Sequence, residues 1–318
     1  MFPRLRQIRT FGAVMIPFGQ VAQPSTDLEI SSSANITNPV RSRIGLDAAS
    51  AGHESIYRPV SPQIAITPTI SVIIPARNEA ANLPFVFASM PAWIHEVILV
   101  DGRSTDDTIA VAQHLWPTVK VVAQKGNGKG DALQAGFAAS TGDIIVMMDA
   151  DGSTDGREIL QFVAALLAGA DFAKGSRFAC GGGSSDITWL RGIGNGLLTR
   201  IVNIMFGTRY SDLCYGFNAF WSDHLDELAV ECAGFEVETL MNIRAARAGM
   251  RVHEVPSFEH SRLHGVSNLH VVADGWRIAK VIGREWLRMR RIERGKSASA
   301  GVREVSERAS LSSRTLPD

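Results

Sequence analysis

Thr141-Gly-Asp-Ile-Ile-Val-Met-Met-Asp-Ala-Asp-Gly152 is the stretch that decides the fold. Ile144 to Met148 form an unbroken apolar run of strand length, which is typical of a strand buried on both faces of a parallel sheet. The run ends in Asp149-Ala150-Asp151, and alternation along an extended chain points both carboxylates the same way. Burying them is costly without compensation, so the stretch predicts a shared site for a hard divalent ion that takes further ligands from water and substrate phosphates. The simpler interpretation is an acidic turn after a core strand.

Composition narrows the class of protein. The chain has 318 residues, 45% of them apolar and 20% charged, which is enough for one large core or two modest ones. Its formal net charge is zero, so nothing in the global charge indicates a nucleic-acid partner. Cys180, Cys214 and Cys232 have neither a paired framework nor metal-ligand spacing, which indicates a reducing, cytoplasmic setting.

Patterning divides the chain into a leader, a folded domain and a tail. The leader lacks sustained periodicity and is rich in Ser, Thr, Asn and Pro, so it is predicted to be disordered. No apolar stretch approaches the about 18–20 residues that a membrane span needs. The predicted parts are a disordered leader (1–66), a folded domain (67–292) and a disordered tail (293–318). Within the domain they are a first half (67–155), a second half (156–270) and a basic amphipathic helix (270–292).

Strands and helices alternate in the first half of the domain. Apolar strands at 70–74, 96–100 and 119–123 precede the strand at Ile144, each followed by turn residues and a helical pattern. This spacing predicts an α/β fold with a doubly wound, mostly parallel sheet. Ligands of such sheets bind outside the carboxyl ends of the strands. The charged residues expected at that edge are Arg77, Glu79, Asp101, Asp149 and Asp151.

The remaining elements are predicted with less regular spacing. Helices are expected at 157–167, 189–206 and 235–248, and strands before Arg177 and at 252–258. Trp189, Trp221 and Phe235 are expected to be core residues.

Five motifs, in order, resemble those of family 2 glycosyltransferases of GT-A fold, and most closely the polyprenyl-phosphate (dolichol-phosphate) mannosyl- and glucosyltransferases. The motifs are Ser71-Val-Ile-Ile-Pro-Ala-Arg-Asn-Glu79, Val100-Asp-Gly-Arg-Ser-Thr-Asp106, Asp149-Ala-Asp151, Gly175-Ser-Arg177, and Arg262 followed by Gly265 and Ser267-Asn-Leu269. They span two thirds of the chain and make a specific combination.

The resemblance implies that the domain at 67–292 is a glycosyltransferase domain with a nucleotide-binding half (67–155) and an acceptor half (156–270). It also implies roles for the motif residues. Pro75, Arg77 and Glu79 would contact the nucleobase and ribose, with Asp101 beside the base. Asp149 and Asp151 would hold Mg²⁺ or Mn²⁺ on the diphosphate of the donor, and Ala150 between them would also contact the donor. The donor would be GDP-mannose or UDP-glucose. Arg177 and Arg262 would meet phosphate charge. Three positions depart from the family pattern: Gly102 replaces an Asp, Ser153 a Gln and Asn268 a Lys.

The chemistry expected of such a site is inverting sugar transfer by single displacement. Negative charge grows on the leaving diphosphate, and a divalent ion with fixed arginines stabilises it. A lipid-phosphate acceptor is already anionic and needs no general base, whereas a hydroxyl acceptor needs a carboxylate. The candidate bases are Asp212, Glu236 and Glu238. A noncatalytic nucleotide-sugar-binding protein is the rival interpretation; a nucleotidyltransferase would need a glycine-rich signature that Ile73 to Arg77 lacks.

Two further segments leave alternatives open. The loop Lys125-Gly-Asn-Gly-Lys-Gly130 is either a flexible turn or a loop that closes over the donor. Val272, Trp276, Ala279, Ile282, Trp286 and Met289 form a helical stripe beside a strongly basic face, with eight Lys or Arg and two Glu between 277 and 296. That helix either packs on the domain or holds a cytoplasmic enzyme peripherally against the anionic inner face of a membrane.

Overall fold

The structure, a computed structural model, describes residues 68–265 and 270–312. The predicted disordered leader, residues 1–66, lies outside the described residues, as do residues 266–269 and 313–318.

The described residues form a central sheet covered by helices. Its strands and a small second pair are β1 (Ile70–Ala76), β2 (Glu96–Asp101), β3 (Lys120–Ala123), β4 (Ile144–Met147), β5 (Phe172–Ser176), β6 (Gly183–Ser184), β7 (Asn218–Trp221), β8 (Val252–Pro256) and β9 (Phe258–Glu259). The α-helices are α1 (Leu83–Ser89), α2 (Thr108–Leu115), α3 (Lys129–Ala139), α4 (Ile159–Leu167), α5 (Trp189–Phe206), α6 (Leu225–Leu228), α7 (Val237–Arg247) and α8 (Val271–Ser312).

The predicted mostly parallel sheet is confirmed. Seven strands lie in the order β3-β2-β1-β4-β7-β5-β8, and β6 pairs separately with β9. Only β7 among the described strands of the large sheet runs antiparallel, between β4 and β5. The carboxyl ends of β1, β2, β4 and β5 therefore meet at one edge, where the sequence analysis expects a ligand.

Alternation along the central strands divides the core into two layers. Ile74 and Val146 pack with α1, α2 and α4 on one face of the sheet. Ile73 and Ile145 pack with α3 and α7 on the other. All four side chains are fully buried, which explains why these strands have continuous apolar sequences instead of alternating ones.

The loop after β1 differs from expectation at Asn78, which the sequence favours as a helix cap. Its φ is +58°, and its side-chain oxygen accepts a hydrogen bond from the backbone N–H of Thr105. The helix begins only at Leu83, followed by Pro84 in its first turn. Asn78 therefore ties the end of β1 to the loop after β2.

Helix α5 packs Val202 into the core but also has an apolar outer face. Its exposed apolar side chains, which we call the α5 apolar face, are Trp189, Leu190, Ile193, Leu197 and Ile204. Trp189 is 76% exposed, which contradicts its expected place in the core, whereas Asn195 and Thr199 are buried on the inner side. The expectation was wrong because a periodic apolar stripe identifies one face of a helix without stating what covers it.

Helix α8 runs from Val271 to Ser312 and so extends beyond 292, the predicted end of the basic helix. Good helix formers dominate this segment, and proline is absent until Pro317. The packed side of α8 also differs from the predicted stripe. Ile278, Ile282 and Glu285 are buried, whereas Trp276 is 63% exposed. Glu285 reaches the interior because it forms ion pairs with α7.

These ion pairs hold α8 against α7, and their loss should destabilise the protein. Glu285 is buried and lies 2.6 Å from Arg247 Nη1 and 3.3 Å from Arg244 Nη2. We expect Glu285→Ala to lower the free energy of unfolding by about 3–5 kcal/mol, because it leaves buried arginine charge without a partner. Denaturant unfolding measures this. The control is Glu231→Ala, which removes a 58% exposed partner of Arg244 and should cost less than about 1 kcal/mol. Equal losses would contradict the prediction.

Candidate active site

A cavity of about 600 Å³ lies at the carboxyl edge of the sheet. It takes residues from both halves of the domain and from α8. Of the residues predicted to contact the donor, the following line it: Pro75, Arg77, Glu79, Asp149, Ala150, Asp151, Arg177 and Arg262. Asp101 does not line it; its carboxylate accepts hydrogen bonds from the backbone N–H groups of Arg103 and Ser104, while the neighbouring Gly102 lies on the wall.

The aspartates predicted to bind metal lie together on this wall. The Asp149 side chain is 32% exposed and Asp151 19%, so both carboxylates reach the cavity. Asp149 Oδ1 lies 2.5 Å from Lys129 Nζ, and Asp151 Oδ2 lies 3.1 Å from Arg262 Nη2. Ser153 N–H donates to the other oxygen of Asp151 at 3.0 Å, which fixes that carboxylate after the strand end.

These two carboxylates fit a hard divalent cation that takes only a few of its ligands from the protein. Carboxylate oxygens are the ligands that Mg²⁺ and Mn²⁺ prefer, and both aspartates open on the cavity. Within residues 68–265 and 270–312, no group of three or more His, Cys, Asp or Glu residues could hold a metal ion. A cation on Asp149 and Asp151 would therefore depend on water and substrate oxygens for its other ligands.

Arg262 closes one side of the site. Its Nη1 donates to Glu79 Oε1 at 3.0 Å, and its Nη2 reaches Asp151. Asn82 holds Glu79 from behind through a 2.5 Å hydrogen bond to Oε2, and it also receives a bond from the backbone N–H of His264. Two residues expected at opposite ends of the nucleotide site, Glu79 and Asp151, are thus joined by one guanidinium group.

Arg177 is buried and held by two carboxylates. Its Nε and Nη2 donate to the two oxygens of Asp212 at 2.7 and 2.9 Å, and Nη1 donates to Glu259 at 3.1 Å. The ring of Tyr215 lies under the guanidinium at 4.9 Å. Burial opposes the charge of Asp212, but the bonds and charge of Arg177 outweigh it and hold the pKa of that carboxyl below its usual value.

The three candidate bases have different surroundings. Asp212 is fully buried against Arg177 and is absent from the cavity wall, so its place is that of a counter-ion. Glu236 accepts from the backbone N–H of Gly234 and also does not line the cavity. Glu238 does line it, and its Oε1 lies 2.7 Å from Lys129 Nζ. Burial raises the pKa of Glu238, and the ammonium of Lys129 opposes that rise.

Sequence reasoning missed Lys129 as a site residue. Its loop is tied to the segment before α7 and to the end of β3, because Gly130 N–H donates to the Ala233 carbonyl at 2.8 Å and Gln124 donates to the Gly128 carbonyl at 2.7 Å. The glycine-rich Lys125–Gly130 segment was the available signal. Phe235, expected in the core, lines the cavity as well.

The family departures within the described residues have local consequences. A Cβ on Gly102 would come within 3.0 Å of Gln124 Oε1 and 3.3 Å of the Ala76 carbonyl, so the Asp of the family pattern would crowd this turn. Ser153 uses its backbone on Asp151 and lines the cavity. Asn268 lies outside the described residues.

Comparison with known sequences identifies glycosyltransferases as relatives of this chain. The sequence profile of the family "Glycosyl transferase family 2" matches residues 71–229. A polyprenol monophosphomannose synthase of Mycolicibacterium smegmatis is 32% identical over 211 residues, which cover 62% of this chain and 80% of that protein. A dolichol-phosphate mannosyltransferase of Pyrococcus furiosus is 30% identical over 215 residues, 63% of this chain and 59% of its own.

Solved structures show the same fold. Glucosyl-3-phosphoglycerate synthase from Mycobacterium tuberculosis, in complex with Mn²⁺, UDP-glucose and phosphoglyceric acid, superimposes with a TM-score of 0.57 at 24% identity. The match covers 69% of this chain and 80% of that one. At this identity the likeness concerns the fold alone, which is GT-A as the motifs predict.

The Arg177–Asp212 pair generates a pH-dependent prediction. Because the pKa of Asp212 is lowered in the folded state, its stabilisation is complete above the unfolded value of about 3.9 and is lost as the pH falls through the folded value. Asp212→Asn should therefore lower Tm at pH 7, and its Tm gap to wild type should narrow below about pH 4. Thermal melts from pH 3 to 7 measure the gap. The control is Asp186→Asn, which breaks the more exposed pair with Arg191. A gap that is constant across the pH range would contradict the assignment.

Proposed function

Because the chain belongs to glycosyltransferase family 2, we propose that it transfers a hexose, with inversion, from a nucleotide-diphosphate sugar to a polyprenyl phosphate. The observation that carries the proposal is the pair Asp149 and Asp151 on the wall of a cavity of about 600 Å³ at the carboxyl edge of a GT-A sheet. A cavity of this size accommodates a nucleotide-sized ligand.

Residues from the first two strands would hold the nucleoside of GDP-mannose or UDP-glucose. Pro75 lies near the end of β1, Arg77 and Glu79 follow it, and Gly102 follows β2, so a base and ribose at this end would contact both strand ends. The Glu79 carboxylate can accept hydrogen bonds from ribose hydroxyls while it also accepts one from Arg262. Arg262 would then be able to contact both the ribose and the diphosphate ends, since it pairs with Glu79 and with Asp151.

Asp149 and Asp151 would hold Mg²⁺ or Mn²⁺ against the diphosphate. When bound, the ion supplies Lewis-acid stabilisation of the negative charge that develops on the leaving group. Arg262 adds a bidentate donor suited to phosphate oxygens. Arg177 has a different role, because Asp212 and Glu259 already satisfy its donors: it supports the cavity wall through these bonds instead of supplying a free charge.

The acceptor class is supported by the surroundings of the cavity. Thr188 and Arg191, at the start of α5, line the cavity, and the α5 apolar face begins between them at Trp189 and Leu190. An amphiphilic acceptor could place its phosphate in the polar cavity and its hydrocarbon chain along α5. Contiguous exposed apolar side chains rimmed by polar ones are typical of interaction sites for proteins or membranes.

Transfer to a hydroxyl acceptor is the second candidate, and Glu238 is the observation that favours it. A hydroxyl must lose its proton, and Glu238 is the candidate base on the cavity wall. A phosphate acceptor is already ionised near pH 7 and needs no such group. Glu238→Gln distinguishes the two, since it should abolish transfer to a hydroxyl but spare much of the transfer to a phosphate.

A peripheral position at the cytoplasmic face of a membrane fits this proposal. No helix within residues 68–265 and 270–312 is long and apolar enough to cross a bilayer. Helix α8 packs against α5 through Ile278 and Ile282, and it presents Trp276 together with the exposed basic residues Arg277, Lys280, Arg284 and Arg288. Each such base adds about 1 kcal/mol of attraction at an anionic surface, so the two helices could attach the enzyme reversibly.

The central test is Asp151→Asn. The amide removes one of two anionic oxygen ligands, so sugar transfer from UDP-glucose or GDP-mannose to polyprenyl phosphate should fall at least about 100-fold at ordinary Mn²⁺ concentration, with the fold intact. Product formation is measured with both donors. Asp155→Asn, whose carboxylate pairs with Arg157 outside the cavity, is the matched control and should retain activity. Near-normal turnover in Asp151→Asn would exclude the metal assignment.

A separate test concerns the α5 apolar face. Ile193→Ser with Leu197→Ser should reduce co-sedimentation with anionic phosphatidylglycerol vesicles at least about tenfold, because two side chains that would enter the lipid become polar. The control pair is Leu160→Ser with Leu167→Ser on α4, whose exposures of 60% and 59% match the 61% and 60% of the test pair. Equal vesicle binding by both double variants would leave α5 without a membrane role, and a change in oligomeric state would assign the face to a second copy of the chain.

A further inference from the structure

One ammonium group is shared by two carboxylates with different expected tasks. Lys129 Nζ lies 2.5 Å from Asp149 Oδ1, on the metal-site pair, and 2.7 Å from Glu238 Oε1, in the first turn of α7. The Lys129 and Glu238 side chains are 11% and 3% exposed. Such short contacts between largely buried groups are strong because water does not screen them.

The backbone is shaped to bring this lysine into place. Gly128 has a φ of +88°, and a Cβ there would come within 2.4 Å of the Ala233 carbonyl oxygen. A Cβ on Gly130 would come within 2.1 Å of the Cys232 carbonyl oxygen. Glycine at both positions therefore allows the start of α3 to dock directly on the segment that leads into α7. Lys129, between these glycines, is held by a fixed frame.

The opposite side of the ammonium is equally confined. A Cβ on Gly216 would lie 2.5 Å from Lys129 Nζ and 2.9 Å from Asp149 Oδ2. The ammonium and the carboxylate thus fill a space bounded by the loops before α3, α7 and β7. Asp149 has little freedom to turn while Lys129 occupies this position.

We propose that Lys129 is a positioning residue that fixes Asp149 for the divalent cation and ties it to Glu238 across the cavity. The inference rests on the proposed metal site. Without the ammonium, Asp149 and Glu238 would face each other as uncompensated carboxylates, and Asp149 would turn away from Glu238. That turn removes a metal ligand from its place.

A positioning role changes the affinity for the cation in the direction opposite to the one that Coulomb attraction alone predicts. Removing a positive charge 2.5 Å from a metal ligand should, by Coulomb attraction alone, strengthen cation binding. If Lys129 positions the ligand, Lys129→Met should instead weaken Mn²⁺ binding at least tenfold. The affinity is measured directly from the free Mn²⁺ signal in electron paramagnetic resonance, with Mn²⁺ alone and with UDP or GDP present, so sugar transfer is not required.

Three companion variants sharpen the experiment. Lys125→Met removes an exposed lysine from the same loop and should leave Mn²⁺ affinity unchanged. The single variant Lys129→Met leaves Glu238 buried without a partner and should therefore have a lowered Tm. Lys129→Met with Glu238→Gln removes both buried charges, so it should restore the Tm yet still bind Mn²⁺ weakly. Lys129→Cys, alkylated with 2-bromoethylamine to replace the ammonium, should recover the affinity, with alkylated wild type as its reference.

The outcomes separate this inference from the proposed function. Wild type that binds Mn²⁺, with Lys129→Met binding equally or more tightly, would overturn the positioning role and leave the metal site standing. Wild type that binds no Mn²⁺ even with nucleoside diphosphate would overturn the metal site and the inference together. Weak Mn²⁺ binding by Lys129→Met and by Lys129→Met with Glu238→Gln, together with recovered affinity in alkylated Lys129→Cys, supports the proposal.

Discussion

Carboxylates at the end of a buried strand need cations, and the way this chain provides them organises the domain. Asp149 and Asp151 follow β4 in the centre of the sheet, where leaving them unpaired would cost several kcal/mol. Lys129 compensates the first and Arg262 the second. The two cations come from different halves of the domain, so the same contacts that stabilise the acidic pair also join the end of β4 to α3 and α7, through Lys129, and to the segment after β9, through Arg262.

A second charged cluster in the same cavity has a different character. Arg177 donates to both oxygens of Asp212 and to Glu259, and Ser184 donates to Glu259 at 2.5 Å, so the donors of this arginine are satisfied within the protein. Such a network is rigid and costly to disrupt. The aspartates after β4 also have protein partners, but their side chains line the cavity and are 32% and 19% exposed, against 0% for Asp212. The contrast separates the wall that supports the site from the groups available to a ligand.

Much of this arrangement could be predicted from sequence, for a physical reason. Parallel strands bring their carboxyl ends to one edge, so the apolar runs before Arg77 and Asp149 were enough to place their charges together. Partners distant in sequence could not be found this way. Nothing in the spacing of Lys125–Gly130 specifies that Lys129 meets Glu238 more than 100 residues later, because docking depends on carbonyls of another loop. Helix α8 was similar: Glu285 is buried because α7 supplies arginines.

Helix α5 has apolar residues on two sides. Its inner side packs Val202, Leu198 and Ile201 against the core, and Asn195 on that side accepts hydrogen bonds from the backbone N–H groups of Leu213 and Cys214. A second set of apolar residues lies at the surface, beginning beside the cavity at Trp189. Exposing them to water carries a cost of roughly 25 cal/mol per Å² that a lipid surface would remove. A charged cavity next to such a face is physically matched to an acceptor with an anionic head and an apolar tail.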